Sequence, residues 1–298
     1  MDRFIFLGTG ADVPTPERET VSVLVEQKDN RFLLECPPSV LKQLRILANN
    51  VLWFKEDPIF SIQRIFLSHL HWGHCLGIPY LLYTYTSEKR TTPLWIYGPT
   101  GTKHFVKTIM KLVTTLPKEL ETYPYEINIV ELPRKFFTIK VNDELLITTA
   151  PLKHVKLDLG IRLDFVKENR SLIYTGDTSP CKNAVRLSND GSILIADCNF
   201  EDTPETSRYS ILRGHCTSRQ AAKIALDANV KSLYLTHLHG TRYGVKDIAT
   251  KIIAEASEVF HGNVYYPDDL DSFSITTGLK NESMSHNCSE TSINRDRG

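Results

Sequence analysis

Short apolar stretches separated by polar turns run along most of this chain. They are rich in Val, Ile, Phe and Tyr, and their lengths are typical of strands. We predict strands over Arg3–Leu7, Val21–Glu26, Arg31–Leu34, Arg64–Ser68, Leu94–Tyr97, Tyr125–Val130, Phe136–Val141, Glu144–Thr149, Gly160–Phe165, Ser171–Thr175, Ile193–Ala196, Ser232–Thr236 and Ser272–Thr276.

Apolar residues also recur at three- and four-residue steps, a spacing that predicts helices. The helices are predicted at Ser39–Asn49, Gly101–Leu112, Ser218–Ala228 and Tyr243–Phe260. Because strands and helices alternate from end to end, we predict one layered α/β domain over residues 1–278, with helices covering the sheets. Residues 279–298 carry almost no apolar side chains, which predicts a disordered polar tail.

Composition narrows the class of protein without naming a substrate. The chain has 298 residues, 41% of them hydrophobic, and 35 Lys and Arg balance 35 Asp and Glu, as in a soluble globular protein. A nucleic-acid partner would therefore need a local basic patch. We find no apolar run of about 18 residues and no secretory signal pattern, and so expect a cytoplasmic protein. The six cysteines form no C-x-x-C pair, which disfavours a disulfide framework or a zinc ribbon.

Potential metal ligands follow four of the predicted strands. They are His69, His71 and His74 after Arg64–Ser68, His154 after Glu144–Thr149, Asp177 after Ser171–Thr175, and His237 after Ser232–Thr236. Side chains alternate along an extended segment, so an H-x-H pair directs two imidazoles to one side. Imidazoles with a carboxylate are a zinc ligand set, and an open coordination position activates water for hydrolysis. The sequence thus predicts a metal-dependent hydrolase, although His154, Asp177 and His237, taken singly, could equally be structural.

Several segments resemble the metallo-β-lactamase superfamily and, within it, the ribonuclease Z group. The resemblance rests on Phe6–Gly10, His69–His74, Thr175–Thr178, Gly214–Thr217 and Leu235–His237, together with other stretches over nearly all of residues 1–278. It implies a four-layer αββα sandwich of two mixed β-sheets flanked by helices. The active site would lie at one edge, between the sheets.

The resemblance also implies roles for individual residues. It assigns His69, His71 and His154 to a first metal, His74 and His237 to a second, and Asp177 to both as a bridge. It further implies that His215 is a general acid and that Asp197 orients it, since protonation of an alkoxide leaving group requires such a pair. The alternative for His215 is a structural role capping the helix that begins near Ser218.

Gly73 breaks the family's H-x-H-x-D-H pattern, because the family has aspartate at this position. Three outcomes are open, in our order of preference. Two metals bind, with water and His239 or another nearby group completing the second site. Alternatively, one metal binds and supports hydrolysis alone. In the third case the fold has become a catalytically degenerate binding or regulatory module.

Two other departures concern the substrate. Glu35–Ser39 contains two prolines where relatives have glycines, so we expect a stiffer turn bordering the substrate mouth. Only 22 residues separate His154 from Asp177, enough for two strands and a turn but not for the projecting arm of some tRNA-processing members. Lys103, Lys107 and Lys111 share one predicted helix face, which we interpret as a solvated face rather than a phosphate-binding one.

The favoured hypothesis is a ribonuclease Z-like phosphodiesterase or endoribonuclease that uses metal-bound hydroxide. We expect one or two Zn²⁺ ions, with Mn²⁺ or Fe as alternatives. The expected substrate is RNA or a small phosphodiester, with no membrane partner and, by analogy, a homodimer. The alternatives are a hydrolase of a non-phosphate ester, thioester or lactam, and a non-catalytic binding protein on the same fold.

Overall fold

The computed structural model describes residues 2–28, 30–50, 58–113, 125–155, 157–240 and 247–281, and its described strands form two seven-stranded sheets. The first sheet contains β1 (Arg3–Gly8), β2 (Ser22–Gln27), β3 (Asn30–Leu34), β4 (Arg64–Phe66), β5 (Leu94–Pro99), β6 (Ile127–Leu132) and β14 (Ser272–Ser274). The second contains β7 (Phe137–Lys140), β8 (Leu145–Lys153), β9 (Leu157–Phe165), β10 (Arg170–Tyr174), β11 (Ile193–Asp197), β12 (Ser232–Thr236) and β13 (Asn263–Tyr265).

Both sheets are mixed. The order in the first is β14-β1-β2-β3-β4-β5-β6, antiparallel from β14 to β3 and parallel from β3 to β6. The order in the second is β13-β12-β11-β10-β9-β8-β7, parallel from β13 to β10 and antiparallel beyond. Consequently β8, β10, β11 and β12 all end at the same edge of the second sheet.

Helices cover the outer faces of both sheets. They are α1 (Val40–Asn50), α2 (Pro58–Ser61), α3 (Trp72–Cys75), α4 (Ile78–Ser87), α5 (Thr102–Val113), α6 (Lys182–Ser188), α7 (Pro204–Arg213), α8 (Ser218–Asp227) and α9 (Ile248–Ser257). Buried side chains of α1, α4 and α5 form one apolar cluster with the first sheet, and those of α6, α8 and α9 form another with the second sheet. The layers therefore follow the expected αββα order.

Alternation along β1 shows how the layers are joined. Ile5 and Leu7 face the helices, whereas Phe4 and Phe6 face the second sheet. The Phe4 ring lies 5.1 Å from that of Tyr234 in β12, centroid to centroid, in an edge-to-face arrangement. All these side chains are buried, so a continuous aromatic and aliphatic layer holds the two sheets face to face.

The predicted strands are confirmed to within a few residues, whereas several elements were missed. The short strand β13 and the helices α2, α3, α4, α6 and α7 were not predicted. Helix α4 is rich in Tyr, Leu and Thr without a polar face that would mark it as helical. Helix α7 lacks an apolar stripe and depends instead on a capping box between Thr203 and Thr206 and on Pro204 in its first turn. The first four residues of the helix predicted over Tyr243–Phe260, 243–246, lie outside the described residues.

The described chain continues past residue 278. The amide of Ser274 donates to the carbonyl of Leu279, and the amide of Asn281 donates to that of Ser272. Residues 282–298 lie outside the described residues, so the disordered tail stays a prediction. None of the helices in the described ranges combines the length and apolar character needed to span a membrane.

The layer between the sheets gives a test of the fold. We expect Phe4→Ala to lower the free energy of unfolding by about 3–5 kcal/mol, because it leaves a cavity between β1 and β12. Tyr83→Ala, on the exposed side of α4, should change that energy by less than about 0.5 kcal/mol. Urea denaturation of both variants measures the difference, and equal losses would contradict this packing.

Candidate metal centre

Strand ends bring the predicted ligands to one edge of the sandwich. The loop after β4 supplies His69 and His71 from the first sheet and leads into α3, which carries His74. His154 follows β8 directly, and His237 follows β12. Because these ends converge at one edge, residues far apart along the chain become neighbours, as the sequence predicted.

His69, His71, His154 and Asp177 form a group that could hold a metal ion, and we call this group the first metal position. Their ligand atoms all lie within 4.8 Å of one another. Nε2 of His154 is 3.3 Å from Nδ1 of His71, and Nε2 of His69 is 3.7 Å from Oδ2 of Asp177. Ligands about 2.1 Å from one tetrahedral ion are about 3.4 Å apart, so this spacing suits a single cation.

Asp177 also faces a second group of imidazoles. Its Oδ2 lies 3.5 Å from Nε2 of His74, and its Oδ1 lies 3.3 Å from Nε2 of His237. We call His74, His237 and Asp177 the second metal position. The carboxylate of Asp177 is thus between both positions, as the bridging role implied by the resemblance requires.

Asp12 extends the second metal position. Asp12, His74 and His237 form a further cluster of potential ligands, with Oδ1 of Asp12 3.7 Å from Nε2 of His74. Sequence reasoning missed Asp12, because it follows β1 and is distant in sequence from every histidine; its only signal was an acid within a Gly- and Pro-containing turn. His239, which we had considered as a replacement ligand, instead stacks on Phe200.

Unpartnered polar atoms show that these residues fit a cation. Nε2 of His69, of His74 and of His237 is buried without a hydrogen-bond partner, as are both carboxylate oxygens of Asp177. Each such group costs about 1–3 kcal/mol when it stays unsatisfied. These atoms converge on common centres, and a divalent cation would satisfy them together.

The pKa shifts of these side chains also favour metal binding. Burial, and the neighbouring imidazole of His74, lower the pKa of His69 well below its ordinary value, and burial likewise lowers the pKa of His71 and of His154. These imidazoles are therefore neutral, the form that binds metal. Although burial alone would raise it, the pKa of Asp177 is held well below its usual range by the surrounding histidines.

His74 differs from the other imidazoles. Burial alone would lower its pKa, but Asp177 and Glu35 outweigh burial and raise it well above the ordinary value. Binding a metal at His74 must therefore displace a proton.

A second layer of groups orients the imidazoles. Nδ1 of His69 lies 2.9 Å from Oγ of Ser68 and 3.1 Å from Oδ1 of Asp158, and Nδ1 of His74 lies 3.3 Å from Oε1 of Glu35. Nδ1 of His154 donates to the carbonyl of Gly214 at 2.9 Å. Gly214 has φ 81°, and a Cβ there would lie 2.7 Å from that nitrogen. Such partners fix ring orientation and raise ligand basicity.

The sequence offered little sign of these orienting residues. Asp158 is one of three charged residues in β9, and Glu35 lies in the segment expected to border the substrate mouth. The structure corrects that expectation for Glu35, which is fully buried behind His74.

His215 and Asp197 lie beside the metal positions. Nδ1 of His215 is 2.9 Å from Oδ2 of Asp197, the last residue of β11, which also accepts a hydrogen bond from the amide of Thr178. Burial would lower the pKa of His215, but Asp197 raises it to about 9, so the ring is an imidazolium near neutral pH. The capping alternative is wrong, since Thr217 forms the capping box of α8 with Gln220.

Comparisons with known proteins identify a matching family and similar sequences. The family described as the beta-lactamase superfamily domain matches residues 30–238. The ribonuclease Z of Bacillus thuringiensis is 30% identical, over 91% of this chain and 99% of the relative. The ribonuclease Z of Haloarcula marismortui is 29% identical, over 90% of this chain and 94% of the relative.

Solved structures show the same fold. The short form of human tRNase Z has a TM-score of 0.71 and 22% identity, covering 92% of this chain and 99% of that one. The metallo-beta-lactamase fold protein YhfI of Bacillus subtilis has a TM-score of 0.71 and 22% identity, covering 91% of this chain and 98% of that one. The predicted αββα sandwich is therefore confirmed.

The orienting layer gives a test of the metal positions. We expect Asp158→Asn to weaken zinc binding at the first metal position by about 10–100-fold, because the amide cannot hold His69 as the carboxylate does. Competition with a chromogenic chelator measures this affinity. Asp143→Asn is the matched control, since Asp143 is 91% exposed on the surface and should leave affinity unchanged. Equal affinity in both variants would contradict the role of Asp158.

Proposed function

Because this chain belongs to the metallo-β-lactamase superfamily and, within it, to the ribonuclease Z family, we propose that it is a metal-dependent hydrolase of phosphodiester bonds in RNA. The observation that carries this proposal is the pairing of His215 with Asp197 directly beside the imidazoles and Asp177. The pair of His215 and Asp197 supplies a proton donor. The imidazoles and Asp177 supply a place for a cation that activates the phosphate. Both favour hydrolysis of a phosphodiester whose leaving group is an alkoxide.

The proposed ligands are those that the sequence assigned. His69, His71, His154 and Asp177 would hold one divalent ion, and His74, His237 and Asp177 would contribute to a second. When bound, the ions supply charge neutralisation at the phosphate and a water of lowered pKa. Zinc is the proposed metal because the donors are mainly imidazole nitrogens, with Mn²⁺ or Fe as alternatives.

His215 is the proposed general acid. Its Nδ1 is bonded to Asp197, so the transferable proton is on Nε2. Asp197 fixes the ring, and its charge keeps the imidazole protonated near neutral pH. Protonating the departing ribose oxygen would convert a poor leaving group into an alcohol. A thiolate departs without a proton, so a thioester hydrolase has less need of this pair, which argues against that alternative.

RNA is the proposed substrate class because the relatives that match along nearly the whole chain are ribonucleases Z. The connection between His154 and Asp177 contains the antiparallel pair β9 and β10, and within the described residues 157–177 no arm projects from it. Lys103, Lys107 and Lys111 are exposed on α5 and offer a small basic face rather than a deep groove. Recognition would therefore depend mainly on the metal-bearing edge.

We also propose a location, an oligomeric state and domain bounds for the protein. The cytoplasm is the proposed location, supported by the free thiols of the five described cysteines, which are typical of reducing compartments. A homodimer is proposed by analogy alone. The domain is proposed to comprise residues 1–278, followed by the polar tail.

Leaving-group dependence tests the role of His215. We expect His215→Asn to lower kcat for RNA cleavage by about 10²–10⁴-fold, because the ribose oxygen leaves as an alcohol only if protonated. Hydrolysis of bis(p-nitrophenyl) phosphate should fall far less, since p-nitrophenolate departs without a proton. His69→Ala should abolish both activities.

The control is His261→Ala, an exposed histidine, which should retain both activities. Equal losses for both substrates in His215→Asn would indicate damage to the metal centre and contradict the general-acid role. Full activity of chelator-treated, metal-free protein would contradict the proposed function as a whole.

A further inference from the structure

We infer that Asp12 is an acidic ligand of the second metal position and replaces the carboxylate that Gly73 cannot supply. This inference rests on the metal centre of the proposed function. It adds a fourth donor, from outside the histidine loop, to His74, His237 and Asp177. Four nitrogen and oxygen donors complete the coordination that zinc prefers.

Two buried imidazoles point to this ligand. Nε2 of His74 and Nε2 of His237 are both buried and have no hydrogen-bond partner. Ligand atoms of Asp12, His74 and His237 lie within 4.8 Å of one another, and Oδ1 of Asp12 is 3.7 Å from Nε2 of His74. The carboxylate thus lies within range of the two unsatisfied nitrogens and adds negative charge where a cation would be held.

Gly73 and Asp12 compete for the same space. A Cβ built on Gly73 would lie 2.6 Å from Oδ1 of Asp12 and 3.0 Å from its Cα. A side chain at position 73 therefore cannot coexist with Asp12 in its present place. The carboxylate of Asp12 occupies the space into which an aspartate at position 73 would project, so glycine at 73 and aspartate at 12 are complementary.

Backbone hydrogen bonds hold Asp12 in register with His237. The amide of His237 donates to the carbonyl of Thr9 at 2.8 Å, and the amide of Ala11 donates to the carbonyl of Leu238 at 3.2 Å. These bonds connect the loop after β1 to the segment after β12. The side chain of Asp12 is 45% exposed, so its outer side remains open to water or substrate.

The experiment measures metal content rather than activity. Metal-free protein is loaded with Zn²⁺, dialysed and subjected to elemental analysis, and Co²⁺-loaded samples are followed by visible absorption. We expect wild type to hold two ions per chain and Asp12→Ala to hold one, with second-ion affinity reduced by more than about 100-fold. Glu17→Ala removes an exposed carboxylate from the same loop and should keep two ions.

A reciprocal pair of variants separates ligation from folding. Gly73→Asp alone should lose the second ion, because the two carboxylates collide. The double variant Asp12→Gly with Gly73→Asp should regain two ions and the Co²⁺ spectrum of a four-donor site. A folded double variant with only one ion would contradict the idea that both residues serve one position.

Other outcomes separate this inference from the proposed function. Two ions bound with unchanged affinity in Asp12→Ala would overturn the role of Asp12 while leaving the phosphodiesterase proposal intact. A wild-type protein that holds one ion and cleaves RNA would also overturn the role of Asp12 and leave the phosphodiesterase proposal intact. A wild type that binds no metal and cleaves no RNA would overturn both.

Discussion

The buried carboxylate of Asp177 is the group on which the site depends. It is ionised and fully enclosed, a state that is tolerated only where positive charge or hydrogen-bond donors surround it. Imidazoles from both sheets supply that environment: Oδ2 lies near His69 and His74, and Oδ1 lies near His237. The aromatic layer packs the two sheets face to face, and this packing holds the histidines that follow the first sheet opposite those that follow the second.

Much of the fold follows from local pattern. Strands with alternating or continuous apolar residues, such as β1 and β11, were predicted because burial dictates their composition. Helices α4 and α7 were missed for opposite reasons, since α4 is mostly apolar and aromatic and α7 is mostly polar. In both, tertiary contacts and capping decide the conformation, and neither leaves a clear 3.6-residue pattern. The three-residue strand β13 is too short to carry any pattern.

The site was predictable where ligands cluster in sequence and unpredictable where space alone brings residues together. Three histidines within one loop indicate a metal site by their spacing. The resemblance to the ribonuclease Z group indicates their partners at the other strand ends. The sequence did not indicate a role for Asp158 or Glu35, because an orienting carboxylate is recognised only by its contacts in the folded protein. Asp12 is the clearest case, since its proximity to Gly73 exists only after the segments that follow β1 and β4 have been placed beside each other.

The proposed ligands span the chain from Asp12 to His237, and this has a consequence for biosynthesis. A polypeptide emerging from the ribosome exposes the histidine loop early but cannot present the complete set of donors until β12 has left the exit tunnel. Capture of the ions therefore comes late, after translation of nearly the whole protein. Prematurely terminated chains would lack part of the donor set and could not bind metal with high affinity. Such truncated chains would therefore not cleave RNA.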